Sequence, residues 1–139
     1  MFRFLLDTNI LIDAISDRRA RHAEAASFME TILARPDAEI LILNSCLKDV
    51  YFIVERHYGS ERDARHAVEL LYACTTPVEL SNAFIQAALA SDEPDFEDGL
   101  IRAVAESSAV DAIVTRDKPA FVHSPIPSLG PAEALNLIA

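Results

Sequence analysis

Apolar and polar positions alternate along this chain in blocks that read as strands separated by helices. Residues 2–6, "FRFLL", are short and mostly apolar, which predicts a central strand. Helices are expected over 10–16 and 20–35; in "ARHAEAASFMETILAR" Ala25, Phe28, Met29 and Ile32 recur at helical spacing. Pro36-Asp37 breaks that run, and "EILIL" at 39–43 predicts a second strand. Asn44-Ser45 then offers a cap for a helix over 46–57. Gly59-Ser60 closes that helix and opens another over 61–74. "PVEL", 77–80, is a weaker third strand, followed by a helix over 82–90 that Ser81 caps. Pro94-Asp95 opens a helix to about 108, and "VDAIVT", 110–115, predicts a fourth strand. "SPIPSLG" offers a short fifth strand before a terminal helix that starts at Pro131.

Strands separated by helical segments predict a single α/β domain spanning residues 1–139, with a mainly parallel sheet of four to five strands. No repeat, low-complexity segment or linker interrupts it. In such sheets ligands bind beyond the carboxyl ends of the strands, so polar residues there carry the most information. Asp7, Thr8 and Asn9 end the first strand in "FLLDTNILID". Each is a good N-cap, and a strand-to-helix turn alone would explain them. Other acids fall near the same predicted edge. Asp117 follows the fourth strand in "VTRDK", and Asp49 lies one turn into the helix after the second. Asp95 and Asp98 stand three apart in "PDFEDGL", hence on one helical face. Caps and macrodipole partners account for each singly. Together, with the first and fourth strands adjacent, they would repel one another unless a cation joined them. Mg²⁺ or Mn²⁺ fits an all-oxygen donor set.

Composition narrows the chemistry further. Twelve basic against twenty-two acidic residues leave a net charge of −10, which argues against a simple nucleic-acid coat. It leaves open an enzyme that meets a phosphodiester through divalent metal, or a basic protein partner. No apolar run reaches the roughly 18 residues of a membrane span, and Asp7 and Asp13 break any secretory h-region. Cys46 and Cys74 form no C-x-x-C pair and sit in apolar helical segments. A soluble, reducing, cytoplasmic setting is expected. His22, His57, His66 and His123 show no zinc-ligand spacing, and three glycines cannot build a phosphate loop.

The ordered motifs resemble those of the PIN-domain nucleases, particularly the VapC-type toxins of toxin–antitoxin pairs. The opening signature D-T/S-N-apolar-L/I is matched by Asp7-Thr8-Asn9-Ile10-Leu11. The late one, similar to "DFEDAL…DAIVTRN/D…F", reads "DFEDGLIRAVAESSAVDAIVTRDKPAF". The resemblance implies a compact parallel-sheet, metal-dependent ribonuclease. It assigns metal binding and catalysis to Asp7, Asp98 and Asp117, with Asp95 as ligand or support. Thr8 and Asn9 would orient Asp7, and Thr115 would hold a metal-bound water or phosphate. Many relatives carry Glu where this chain has Asp49, but a subgroup resembles "SCLKDVYFI", which keeps Asp49 in the ligand set. Relatives often place Asp before the final Phe, where Ala120 stands here. The resemblance also implies a cognate antitoxin and a homodimer.

Arg116 and Lys118 flank Asp117 and are the basic residues expected to contact RNA. Arg18, Arg19 and Arg21 read instead as ordinary solvated charge. A catalytically weak PIN-like module that binds RNA or protein is the alternative, given Ala120. A receiver-like phospho-acceptor domain fits less well, because the middle strand "EILIL" ends on Asn44 rather than on an acceptor aspartate. A haloacid-dehalogenase-like phosphatase would need an acid two places after Asp7, where Asn9 stands.

Overall fold

A computed structural model describes residues 1–117 and 119–139. Five strands, β1 (Phe2–Leu6), β2 (Ala38–Leu43), β3 (Thr76–Val78), β4 (Ala112–Val114) and β5 (Ser128–Leu129), form one sheet in the order β3-β2-β1-β4-β5. Every neighbouring pair is parallel. Seven helices connect and cover it: α1 (Thr8–Ile15), α2 (His22–Leu33), α3 (Ser45–Tyr58), α4 (Glu61–Cys74), α5 (Asn82–Leu89), α6 (Phe96–Ser108) and α7 (Pro131–Asn136). Strands buried on both faces lose the alternation of a half-exposed sheet. Phe4, Leu5 and Leu6 of β1 and Ile40, Leu41, Ile42 and Leu43 of β2 are accordingly all buried. Phe28 of α2 meets Phe4 edge-on, with ring centroids 5.5 Å apart.

The position of β1 matters most. From it the chain adds β2 and β3 on one side, then returns to add β4 and β5 on the other. The strand order therefore reverses at β1, and the crevice between β1 and β4 is where such a sheet binds ligands. Leu6 pairs with Val114, and the Asp7 amide donates to the Val114 carbonyl at 3.0 Å. The adjacency of the first and fourth strands, on which the convergence of the acids depends, is present.

Local chemistry sets several boundaries differently from the sequence pattern. The first helix starts at Thr8, with Asp7 as its N-cap, rather than at residue 10. Asn44 does not cap α3 through its side chain; its Oδ1 accepts from the Leu80 amide at 3.2 Å instead. That bond holds residues 79–80 outside the ladder, so β3 is Thr76–Val78 and not 77–80. Gly59 ends α3 at φ +64°, a conformation glycine adopts freely. Gly99 has a different reason: a Cβ there would stand 3.0 Å from the Ala88 Cα and carbonyl oxygen, so α5 and α6 approach closely only through it.

Candidate active site

Asp7 is the fixed point of the site. It is 7% exposed, and its Oδ1 accepts from the Thr8 amide at 2.8 Å as a helix cap. Its Oδ2 accepts from Thr115 Oγ1 at 2.8 Å and, more weakly, from Asn9 Nδ2 at 3.4 Å. Thr115 Oγ1 in turn accepts from the Asp117 amide at 3.0 Å, and Asn9 Oδ1 from the Arg116 amide at 3.4 Å. Thr115 and Asn9 therefore tie the turn after β4 to the end of β1. Thr8 contributes its amide rather than its hydroxyl. Its Oγ1 is buried, has no hydrogen-bond partner of ordinary geometry among the described residues, and lies by the Cys46 thiol.

Asp7, Asp49, Glu97, Asp98 and Asp117 line one open groove of about 560 Å³. Asp49 comes from the second turn of α3, and Glu97 and Asp98 from the first turn of α6. Asp95 stands just behind them as the N-cap of α6, its Oδ1 accepting from the Asp98 amide at 2.8 Å. The capping explanation thus describes Asp95 but not Asp98, whose carboxylate faces the groove at 8% residue exposure.

The electrostatics record the crowding. Burial pushes the Asp98 carboxyl up to about 7, helped by the charges of Asp95, Asp7, Asp117 and Glu93. Glu97 is also raised to about 7, by partial burial and then by the charge of Asp49 and a hydrogen bond shared with it. Asp7 is raised by burial and by Asp117 and Asp95, against the opposing hydrogen bonds from Thr115 and Thr8. The Cys46 thiol beneath them is pushed to about 12 by burial and by Asp7, Glu97 and Asp49, despite the Thr8 contact. It is an inert core residue.

Two acids escaped the sequence reading. Glu97 adjoins Asp98, and adjacent residues on a helix point about 100° apart, so facial spacing passes over it. Its place in the groove comes from Asp49 across the helix–helix gap, a tertiary fact. Asp13, in α1, is fully buried and accepts from Arg116 Nε at 2.6 Å and Arg19 Nε at 3.1 Å. Its backbone carbonyl also meets His22 Nδ1 at 2.8 Å. A carboxylate inside the apolar run "ILIDAI" was the available signal. Arg116 therefore stands in an ion pair with Asp13, while Lys118 lies outside the described residues. Arg19 is likewise paired with Asp13 rather than simply solvated, and it lines the groove. Ala120 is fully buried, and the adjacent Phe121 amide donates to Glu93 Oε1 at 2.6 Å. Glu97, not position 120, supplies the fifth groove carboxylate.

A family model described as the PIN domain matches residues 3–119. The chain belongs to the PIN-domain family. Among solved structures, it is similar to Mycobacterium tuberculosis VapC20, a sarcin-ricin loop cleaving toxin, with 19% identity and a TM-score of 0.67 over 83% of this chain and 90% of that one. It also resembles VapBC2 of Rickettsia felis, solved bound to a fragment of its promoter DNA. There the identity is 15% and the TM-score 0.67, over 92% of this PIN-domain chain and 97% of the other. A toxin–antitoxin complex from Klebsiella pneumoniae matches at 24% identity and a TM-score of 0.66, over 91% and 96% of the two chains. No curated protein matches significantly by sequence. No helix among the described residues is long and apolar enough to cross a membrane.

PIN domains are associated with divalent cations, and the donor set here suits one. The groove's carboxylates have no ion-pair partner among the described residues, and three of them are held above their ordinary range. Among those residues no three Asp, Glu, His or Cys side chains already close on one point as a ligand shell.

Proposed function

We propose that this PIN domain is a divalent-metal-dependent endoribonuclease and the toxin of a toxin–antitoxin pair. The observation that carries the reading is the groove at the β1–β4 crevice, where five carboxylates gather and none forms an ion pair among the described residues. Asp7, Asp49, Asp98 and Asp117 would hold Mg²⁺ or Mn²⁺, with Glu97 beside Asp49 and Asp95 fixing the start of α6. When bound, such an ion supplies a water of lowered pKa and positive charge for the phosphate oxygens. The chain's own residues do the rest. Thr115 and the Thr8 amide occupy both oxygens of Asp7 and fix its rotamer, so that it enters the groove in one orientation. Thr115 also positions Asp117 through the amide it accepts. Among the described residues, no serine or cysteine lines the groove, and its one histidine, His57, has no such partner there.

The antitoxin part of the reading is supported by relatives whose structures are toxin–antitoxin complexes. A partner segment with a basic side chain would neutralise the groove and silence it. A homodimer is proposed on the same family grounds. Purified protein is incubated with structured and unstructured RNA in Mg²⁺, Mn²⁺ or EDTA. Metal-dependent cleavage of single-stranded or looped RNA is expected. Equal cleavage in EDTA would overturn the metal mechanism, and no cleavage in any metal would favour a binding module.

A further inference from the structure

The acidic groove continues into a cavity of opposite character. Ile12, Arg19, Ile53 and His57 line its α1–α3 wall, and the same residues line a second space of about 240 Å³. Ser16, Arg18, Val54 and Tyr58 complete that space, and no carboxylate among the described residues lines it. On a chain of net charge −10, a cavity with two arginines and no acid needs a reason. Arg18 is exposed and makes no ion pair among the described residues. Its guanidinium lies 4.2 Å from the Tyr58 ring centroid, and the Tyr58 hydroxyl is hydrogen-bonded to that of Ser16. The ring is thus braced, and the Arg18 guanidinium sits over its face. Arg19 shares Asp13 with Arg116, so two guanidinium groups meet one carboxylate and one positive charge is left over beside the groove.

We infer that this cavity is a nucleotide subsite, which holds the phosphate and base next to the cleaved bond of single-stranded RNA. The inference rests on the ribonuclease reading above. A strand whose reacting phosphate lies among the carboxylates carries its next phosphate away from any metal there, toward the adjoining wall that bears Arg18 and Arg19. Guanidinium suits both parts of a nucleotide, because it pairs with phosphate through its N–H fork and stacks on a base through its plane. Arg18 over the Tyr58 face offers a cationic, stackable surface, whereas an apolar protein segment would gain little from it. An acidic peptide would satisfy the charge but not the stacking surface.

The test separates these parts. Anisotropy of a fluorescein-labelled, unstructured ten-nucleotide RNA is measured in EDTA, so that binding is read without cleavage. Arg18→Gln is expected to weaken binding about tenfold or more, as loss of a stacked base does. It should also flatten the dependence of log K on log salt by about 0.7, the share of one single-strand phosphate. Arg18→Lys should restore the salt slope but not the affinity. Arg18 is exposed, and thermal unfolding of each variant confirms that it folds. Wild-type protein that does not bind the RNA, or Arg18→Gln that binds it unchanged, would overturn the subsite. So would an oligoglutamate peptide that displaces the RNA as well as unlabelled RNA does. Full rescue by Lys would overturn base stacking. Arg18-dependent binding without metal-dependent cleavage would sink the nuclease reading and leave the subsite; cleavage with Arg18-independent binding would do the reverse.

Discussion

The molecule buries acids in two ways. Asp13 and Glu93 are the more enclosed, with side chains 2% and 1% exposed, and each is matched by arginine. Asp13 takes Arg19 and Arg116, and Glu93 takes Arg102 together with the Phe121 amide. Asp7 and Asp98 are nearly as buried, and neither they nor the other groove acids have a cationic partner among the described residues. A buried carboxylate that serves the fold is expected to be paired, because removal from water is otherwise uncompensated. Carboxylates held together without such pairing weaken the fold, so their grouping points to a ligand that arrives later. The contrast assigns structure to Asp13 and Glu93 and, on the proposed function, chemistry to the groove.

Substituting one acid of each kind should break or confirm that division. Asp98→Asn should lower RNA cleavage by about 10³-fold, some 4 kcal/mol of barrier at 1.36 kcal/mol per tenfold. It should nevertheless raise the melting temperature of the metal-free protein, since Asp98 caps nothing and its charge is repelled. It should also shrink the stabilisation by Mn²⁺, which for wild type is about 2.7 kcal/mol at a hundredfold excess over Kd. Asp13→Ala should do the opposite and destabilise the protein by about 2–3 kcal/mol, a value tempered because Arg19 and Arg116 are partly exposed and can rehydrate. Thermal unfolding of both variants in EDTA and in excess Mn²⁺ decides. An Asp98→Asn protein that is less stable without metal, and whose response to metal is unchanged, would end the assignment.

A finer substitution tests Glu93. Its carboxylate joins Arg102 of α6 to the loop after β4, where Phe121 adopts φ +67°. Glu93→Gln keeps an acceptor for the Phe121 amide and loses the charge opposite Arg102. Because Arg102 also reaches Asp92 and Glu106, the cost should be about 1 kcal/mol, with cleavage changed less than tenfold. Urea unfolding and initial cleavage rates measure the two. A hundredfold loss of activity would move Glu93 from the structural class to the chemical one.

The same contrast explains what the sequence could and could not reveal. Asp7, Asp49 and Asp117 were legible because each follows a strand at its carboxyl end, and a parallel sheet sends those ends to one edge; Asp98 was legible because it opens the helix that leads back into β4. The adjacency of β1 and β4 was an assumption that the strand order now supplies. Glu97 was hidden because its partner, Asp49, is on another helix. Asp13 was hidden because its arginines come from the α1–α2 turn and from the turn after β4. Pairing across elements depends on distances that spacing along one element does not encode. The end of β3 was misjudged for a similar reason, as the Asn44 side chain takes the Leu80 amide from the ladder.

The smallest expected effect is also the most diagnostic of sign. Asp98 and Glu97 titrate near 7 in the folded protein, and Asp7 is raised as well, whereas unfolded carboxyls titrate near their ordinary values of 3.8 and 4.5. The folded state therefore holds more protons between those limits, and its stability declines as pH rises through about 7. Asp37 and Glu61, lowered by hydrogen bonds from Arg35 and Arg65, act in the opposite sense, but only below the ordinary carboxylate range. From about pH 5.5 to about pH 8, then, the melting temperature in EDTA should fall. In excess Mn²⁺ it should rise over the same interval, because a cation competes with protons for carboxylates and binds best when they are ionised. Asp98→Asn should flatten both slopes without abolishing them, since Glu97 and Asp7 remain. Differential scanning fluorimetry at several pH values, with and without Mn²⁺, gives the four slopes directly. A wild-type melting temperature in EDTA that rises from pH 5.5 to 8 would mean that the groove carboxylates do not repel one another. The distinction between paired and unpaired acids would then lose its physical basis.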